Sequence, residues 1–290
     1  MNSAHQSVPL KIVVLTIVGM FAFAANSILC RLALGKGLID PASFTGIRLG
    51  SGALMLLLIL SIRQRGLPKP AFDALGASML FAYAICFSYA YVDLSTGTGA
   101  LILFGTVQLA MILFGLVLGE RPKPLAWLGM VMAISGLVYL LLPGVSAPPL
   151  LPAMLMAVAG FAWAVYSLHG KGSTHATADT AWNFVGTLPL ALAISLFMHG
   201  QLQMQTAGIL LAVTSGALAS GVGYALWYTV LPHLTQTQAG NVQLSGPIIA
   251  SFGGVLFMNE AITLRLVIAA GLSLGGIALV IGSRKTTRNS

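Results

Sequence analysis

The chain has 290 residues, of which 57% are hydrophobic and 7% charged, and its formal net charge is +8. A soluble domain could not carry that composition on its surface, so a soluble enzyme or binding module is excluded and an integral membrane protein is expected. The basic excess lacks the interleaved aromatic and basic patches of a nucleic-acid binder, so the expected partners are a lipid bilayer and a small molecule, with no nucleic acid.

Ten apolar stretches follow one another, at 10–32, 41–62, 72–92, 97–119 and 124–142, then 150–170, 180–198, 206–230, 237–258 and 262–282. Each approaches the ~20 residues that span ~30 Å of hydrocarbon as a helix. The first has Lys11 at its start and no small-residue cleavage site, and reads as a retained helix and not a signal peptide. It carries Phe23 and Asn26 near its middle. The second opens at Pro41 and contains Arg48, roughly 10 Å below the outer surface at 1.5 Å per residue. A charge at that depth must pair, snorkel or face a cavity. Asp93 or Asp40 are candidate partners, and the alternative role is an outer gate or a contact with a substrate carboxylate.

The third stretch carries Tyr83 and the fourth Gln108; the sixth carries Trp163 and Tyr166, and the ninth Gln243 and Ser245. Aromatic faces with a few amides and hydroxyls at mid-membrane suit a small organic ligand, although helix packing explains each aromatic singly as well. These eight residues are the candidate substrate-binding set, with Trp163 foremost. Pro247 should kink the ninth helix and leave a carbonyl free near Gln243. The six acids, Asp40, Asp73, Asp93, Glu120, Asp179 and Glu260, fall at or near helix ends. Arg48, Asp93, Glu120 and Glu260 are candidate gating or structural charges. The two glutamates read either as caps near the N-terminus of the following helix or as titrating groups. Gly46 with Gly50, Gly115 with Gly119, and Gly271 with Gly275 are spaced for close helix approach. Cys30 and Cys86 read as core residues, and the histidines show no ligand spacing, so no metal, cofactor or catalytic constellation is expected.

The landmarks recur at one offset: Arg31 falls on Lys171, Gly46 on Gly186, Glu120 on Glu260 and Gly136 on Gly276. Phe21 to Ser27 returns as Phe161 to Ser167. Five crossings per copy is odd, so the second copy enters from the opposite side. The expected fold is therefore all-α, ten transmembrane helices as two inverted five-helix repeats over 1–143 and 150–282, with a basic cytoplasmic tail at 283–290. With both termini cytoplasmic, ten basic residues lie inside. Only Arg31, Lys36 and Arg265 lie outside, as the positive-inside rule requires.

On these features the chain resembles the drug/metabolite transporter superfamily, specifically its ten-helix EamA-like exporters. The resemblance is carried by the duplicated unit, the aromatic with Ala and Ser in the first helix of each half, and the Glu of Leu118-Gly119-Glu120 and Phe257-Met258-Asn259-Glu260. It implies that helices 1, 3, 4, 6, 8 and 9 line a central path. As a whole the chain is similar to the aromatic amino-acid exporters of that family, without one diagnostic motif. Two departures stand out. Val107 occupies the place of the proline expected in the fourth helix, and Gly19 to Ser27 lacks the buried acid of the related four-helix multidrug transporters. The expectation is a monomeric exporter of the bacterial inner membrane that moves amino acids with aromatic or other apolar side chains by alternating access. Proton-coupled efflux of cationic compounds is the alternative within transport, and a membrane-embedded enzyme or scaffold the alternative outside it.

Overall fold

The computed structural model describes residues 9–64, 69, 71–119, 121–170, 173–198, 203–234 and 236–283. Glu120 and Lys171, and the tail beyond 283, lie outside them. The described residues are helical throughout, apart from loops and one isolated bridge between Ile39 and Met204. The helices are α1 (Leu10–Leu34), α2 (Pro41–Gln64), α3 (Ala74–Ala90), α4 (Thr96–Val117), α5 (Pro124–Leu141), α6 (Leu150–His169) and α7 (Ala176–Phe197). After them come α8, spanning Thr206–His233, and α9, built from Gln236–Gln243 and Ser245–Met258; α10 (Leu264–Ser283) closes the chain. Among the described residues nine spans have the length and composition to cross a bilayer, and α3 is an apolar helix of 17 residues.

Local chemistry sets the ends. Asp73 caps α3 by accepting from the Gly76 N–H at 3.0 Å, and Asp40 caps α2 through the Ser43 N–H at 2.9 Å. Proline stands at the first turn of α5, where its missing N–H has no intrahelical role. Two helices are irregular. Ser215–Val222 of α8 is a π-helical segment, a form that sequence periodicity does not signal. The ninth helix breaks at Leu244 instead of kinking as one rod, because Pro247 cannot donate to the carbonyl of Gln243. α4, with Val107 in place of proline, is unbroken.

Where two helices meet most closely, small residues line the contact and large ones face outward. On α5, Leu125, Leu128, Val131, Ile134 and Val138 are exposed, while Ala126, Gly129, Ala133 and Gly136 are buried. Lipid tails are as apolar as leucine, so helices gain from close backbone approach, which small residues permit. The pairing of α5 with α10 displays this. A Cβ on Gly136 would lie 2.7 Å from the Ser273 nitrogen and 2.8 Å from the Ala269 oxygen; one on Gly276 would lie 2.6 Å from the Ala133 nitrogen and press on the Gly129 oxygen. These positions exchange under the repeat offset, so the pseudo-twofold axis passes through this crossing. The glycines named from spacing behave differently: Gly271 and Gly275 have open space around them, and Gly46 and Gly50 make ordinary contacts.

The other packings obey the same exchange. α3 packs on α6 as α8 packs on α1, α4 packs on α6 as α9 packs on α1, and α2 meets α7 across the axis. α1 and α6 run oppositely. α1 ends with Arg31 beside the end of α3, whereas α6 ends with His169 beside Asp73 at the start of α3. The repeats are therefore inverted.

Candidate functional site

A cavity of about 670 Å³ lies between the two repeats. α1, α3, α4, α6, α8 and α9 all contribute to its wall, and so do α2, through Arg48, and α7, through Thr180 and Asn183. The last two helices were absent from the lining expected by resemblance. At one end the wall runs out to exposed residues, including Phe72 and Ser173, and this end is the mouth.

At the opposite end the helices are tied together. Arg31 pairs with Glu260 at 3.1 Å and donates through Nη1 to the carbonyls of Tyr91 and Val92 at 3.1 and 2.5 Å. Glu260 in turn accepts from the Thr96 N–H at 2.8 Å. It therefore caps α4, not the helix that follows it in sequence, and joins α1, α4 and the α9–α10 connection in one cluster. The loops add a second tie: the Asp40 and Gln205 N–H groups donate to the carbonyls of Gln203 and Leu38, and the Gln203 N–H donates to Asp40 Oδ2 at 3.1 Å.

Between these ends the walls are aromatic. The Trp163 ring lies 4.9 Å from Tyr83 and 5.5 Å from both Tyr166 and Tyr224, centroid to centroid. Phe23 lies 5.7 Å from Tyr224 and 6.0 Å from Trp227. Pairs at these separations hold their rings in place while leaving faces for a ligand. A polar chain runs along one side, where the Tyr166 hydroxyl donates to Thr180 at 3.1 Å and Thr180 donates to Tyr228 at 3.1 Å. A second begins with the Ser215 hydroxyl, which donates to Asn26 Oδ1 at 2.6 Å; Asn26 Nδ2 contacts the Tyr83 hydroxyl at 3.4 Å. The side-chain oxygen of Asn183 is buried without a hydrogen-bond partner among the described residues.

Arg48 sits at the inner part of this cavity, 3% exposed. Its Nη2 donates to the Tyr83 hydroxyl at 3.0 Å, and its guanidinium carbon lies 4.9 Å from the Phe87 ring centre and 5.3 Å from that of Tyr83. The expected pairing with Asp93 or Asp40 is not formed: Asp93 is exposed, and Asp40 is engaged with α2 and Gln203. Chain order alone could not reveal that α2 turns this face inward. Among the described acids, Asp73 and Asp179 line the cavity at its mouth, where Asp73 pairs with His169 at 3.0 Å and Asp179 accepts from the Ser173 hydroxyl.

Of the eight residues named for ligand contact, Phe23, Asn26, Tyr83, Trp163, Tyr166 and Gln243 line the cavity. Gln108 is buried outside its wall. Ser245 also lies off the wall, its hydroxyl donating to the Val242 carbonyl at 2.6 Å in the break of α9. Sequence reasoning missed Tyr224, Trp227 and Tyr228 on α8 and Asn183 on α7. The Tyr224 and Tyr228 spacing of four was the available signal for one aromatic face. Among the described residues, no group of three or more His, Cys, Asp or Glu is arranged to hold a metal ion.

Comparison with known proteins agrees with this architecture. Residues 10–142 and 150–282 each match the EamA-like transporter family. An uncharacterised protein of Pseudomonas aeruginosa is 49% identical over 94% of this chain and 96% of its own length. The threonine/homoserine exporter RhtA of Escherichia coli is 27% identical over 87% of this chain and 84% of its own. A protein of known crystal structure superposes with a TM-score of 0.65 at 19% identity, covering 96% of this chain and 99% of the other, a likeness of fold.

Proposed function

The chain belongs to the EamA-like transporter family, and we propose that it exports amino acids with aromatic or other apolar side chains across a bacterial inner membrane by alternating access. The observation that carries this reading is the aromatic cavity between two inverted repeats, open at one end and tied shut at the other by Arg31 and Glu260. Such repeats rock about a site near the midplane. The positive-inside rule supports a cytoplasmic mouth, since Arg63 ends α2, and Lys69, Arg121 and Lys123 follow α2 and α4 at that end. In this arrangement the protein stands ready to load from inside. The named function of RhtA supports export of a small amino acid by a related chain. The pathway lies within one chain, which supports a functional monomer.

A second reading has its own support: Asp73 and Asp179 line the mouth, and acids there suit a proton or a cationic substrate. One experiment separates the two. Proteoliposomes are preloaded with labelled amino acids or a cationic dye, and flux is followed with and without a pH gradient. Amino-acid efflux that persists without the gradient is expected. Gradient-dependent dye movement with the amino acids inert would favour the second reading.

A further inference from the structure

We propose that Arg48 receives the carboxylate of the substrate, so that the cavity selects monocarboxylates and rejects amines that lack one. This rests on the reading of the cavity as the transport site. Arg48 is the one charged residue among those described that is buried to this degree, and it lines the cavity wall. Ion pairs within 4.0 Å among the described residues are Arg31 with Glu260 and His169 with Asp73, so no described acid neutralises Arg48. Its Nε and Nη1 are buried with no hydrogen-bond partner among the described residues.

The energetics leave the charge under-compensated. Burying a guanidinium costs its hydration, and full compensation needs most of its donors paired. Here two ring contacts and one hydrogen bond face it, and two of its three nitrogens have no partner among the described residues. An anion supplied from outside would complete the set. Guanidinium presents five N–H donors in a planar fork that matches a carboxylate, of which Tyr83 takes one; Nε and Nη1 have no open surface here, so a carboxylate engages the fork as the side chain turns toward the cavity.

A single charge is what the cavity can accept. Among the described residues no other Lys or Arg lines it, and the mouth carries Asp73, engaged by His169, and Asp179, so a phosphate or dicarboxylate finds little further positive charge there. The two acids are compatible with the ammonium group of a zwitterion passing between them. The aromatic walls at Trp163, Tyr224 and Phe23 receive the apolar side chain. The repeat mate of Arg48 is Leu188, so the site has one charged pole and not a symmetric pair. The backbone that carries that pole is closely packed. α8 crosses α2 at Gly216, where any side chain would press on the Arg48 carbonyl and the Ser51 hydroxyl.

The test uses purified full-length protein in proteoliposomes, with labelled L-phenylalanine, L-leucine and L-threonine beside 3-phenylpropionate, which lacks the amine, and 2-phenylethylamine, which lacks the carboxylate. Wild-type protein is expected to move at least one carboxylate-bearing probe about tenfold or more faster than 2-phenylethylamine, a comparison that needs no variant. Arg48→Gln should lower that flux about tenfold or more, and Arg48→Lys, which keeps the charge but not the fork, should fall between. Both variants are compared at equal amounts of monodisperse protein. Movement of 3-phenylpropionate with all amino acids inert would remove the amino-acid reading and leave the role of Arg48 standing. Wild-type rates for phenylalanine in Arg48→Gln, or equal rates for phenylalanine and 2-phenylethylamine, would overturn the role of Arg48 while leaving amino-acid transport intact. If no carboxylate moves at all, both fall.

Discussion

Trp163 makes three ring contacts at once, to Tyr83, Tyr166 and Tyr224, and it is the side chain through which α6 meets both α3 and α8 in the cavity wall. Truncating it removes the ligand face and the support of its neighbours together. Each aromatic pair is worth about 0.5–1.5 kcal/mol beyond its area, so Trp163→Ala should lower flux about tenfold, with the amount of protein in the membrane near that of wild type. Trp163→Phe should retain an intermediate rate; both are read by the same proteoliposome assay, and full activity in the alanine variant would remove Trp163 from the site. The place of Trp163 in the cavity wall was legible from its mid-segment position. Asn183 was not: its place near the start of α7 resembles a helix end, and only the approach of α7 to α3 turns it into the cavity.

At the scale of elements, spacing was a poor guide to which glycines matter. Gly271 and Gly275 share the spacing of a packing motif yet face open space, whereas Gly136 and Gly276 sit where α5 and α10 touch backbone to backbone. Overpacking a close contact costs about 1–3 kcal/mol or more. Gly276→Val should therefore lower the Tm of the detergent-purified protein by several degrees, while Gly271→Val should leave it unchanged. A stable Gly276→Val would mean that the two helices separate freely. The π-helical segment of α8 makes a related prediction. Gly216→Ala places a methyl against the backbone of α2 beside Arg48, so it should depress both Tm and flux, even though alanine is the better helix former in isolation. Neither the π segment nor the break at Leu244 follows from a period of 3.6 residues. The break could be anticipated because Pro247 cannot donate to Gln243, but its sharpness depends on how α9 packs.

For the whole molecule, the decisive feature is asymmetry between the ends. Arg31, Glu260, Asp40 and the paired loops tie one end, while the cavity reaches exposed residues at the other. If the tie holds the outer end closed, Glu260→Gln should expose the cavity to that side. In a background with Cys30 and Cys86 replaced by serine, Ser27→Cys should react faster with a membrane-impermeant maleimide added outside when Glu260→Gln is present. Reversing both charges, Arg31→Glu with Glu260→Arg, should restore only part of the closure, because an arginine at 260 cannot accept from the Thr96 N–H. Unchanged labelling in Glu260→Gln would show that the loops alone keep this end shut. The repeat counterparts of the pair, Glu120 and Lys171, lie outside the described residues.

The sequence by itself determined the membrane class, the ten apolar segments and the duplication, because hydrophobic length and a constant offset are properties of one dimension. An odd number of crossings per copy made inversion unavoidable. It also placed the aromatic and amide residues of α1, α3 and α6 at mid-membrane depth. Tertiary structure alone decided which face of each helix turns inward. That choice depends on where small residues let backbones meet, and it brings α2 and α7 to the cavity wall. It left Arg48 without the acidic partner that its neighbours in sequence had suggested, and it gave Glu260 to a helix more than a hundred residues away.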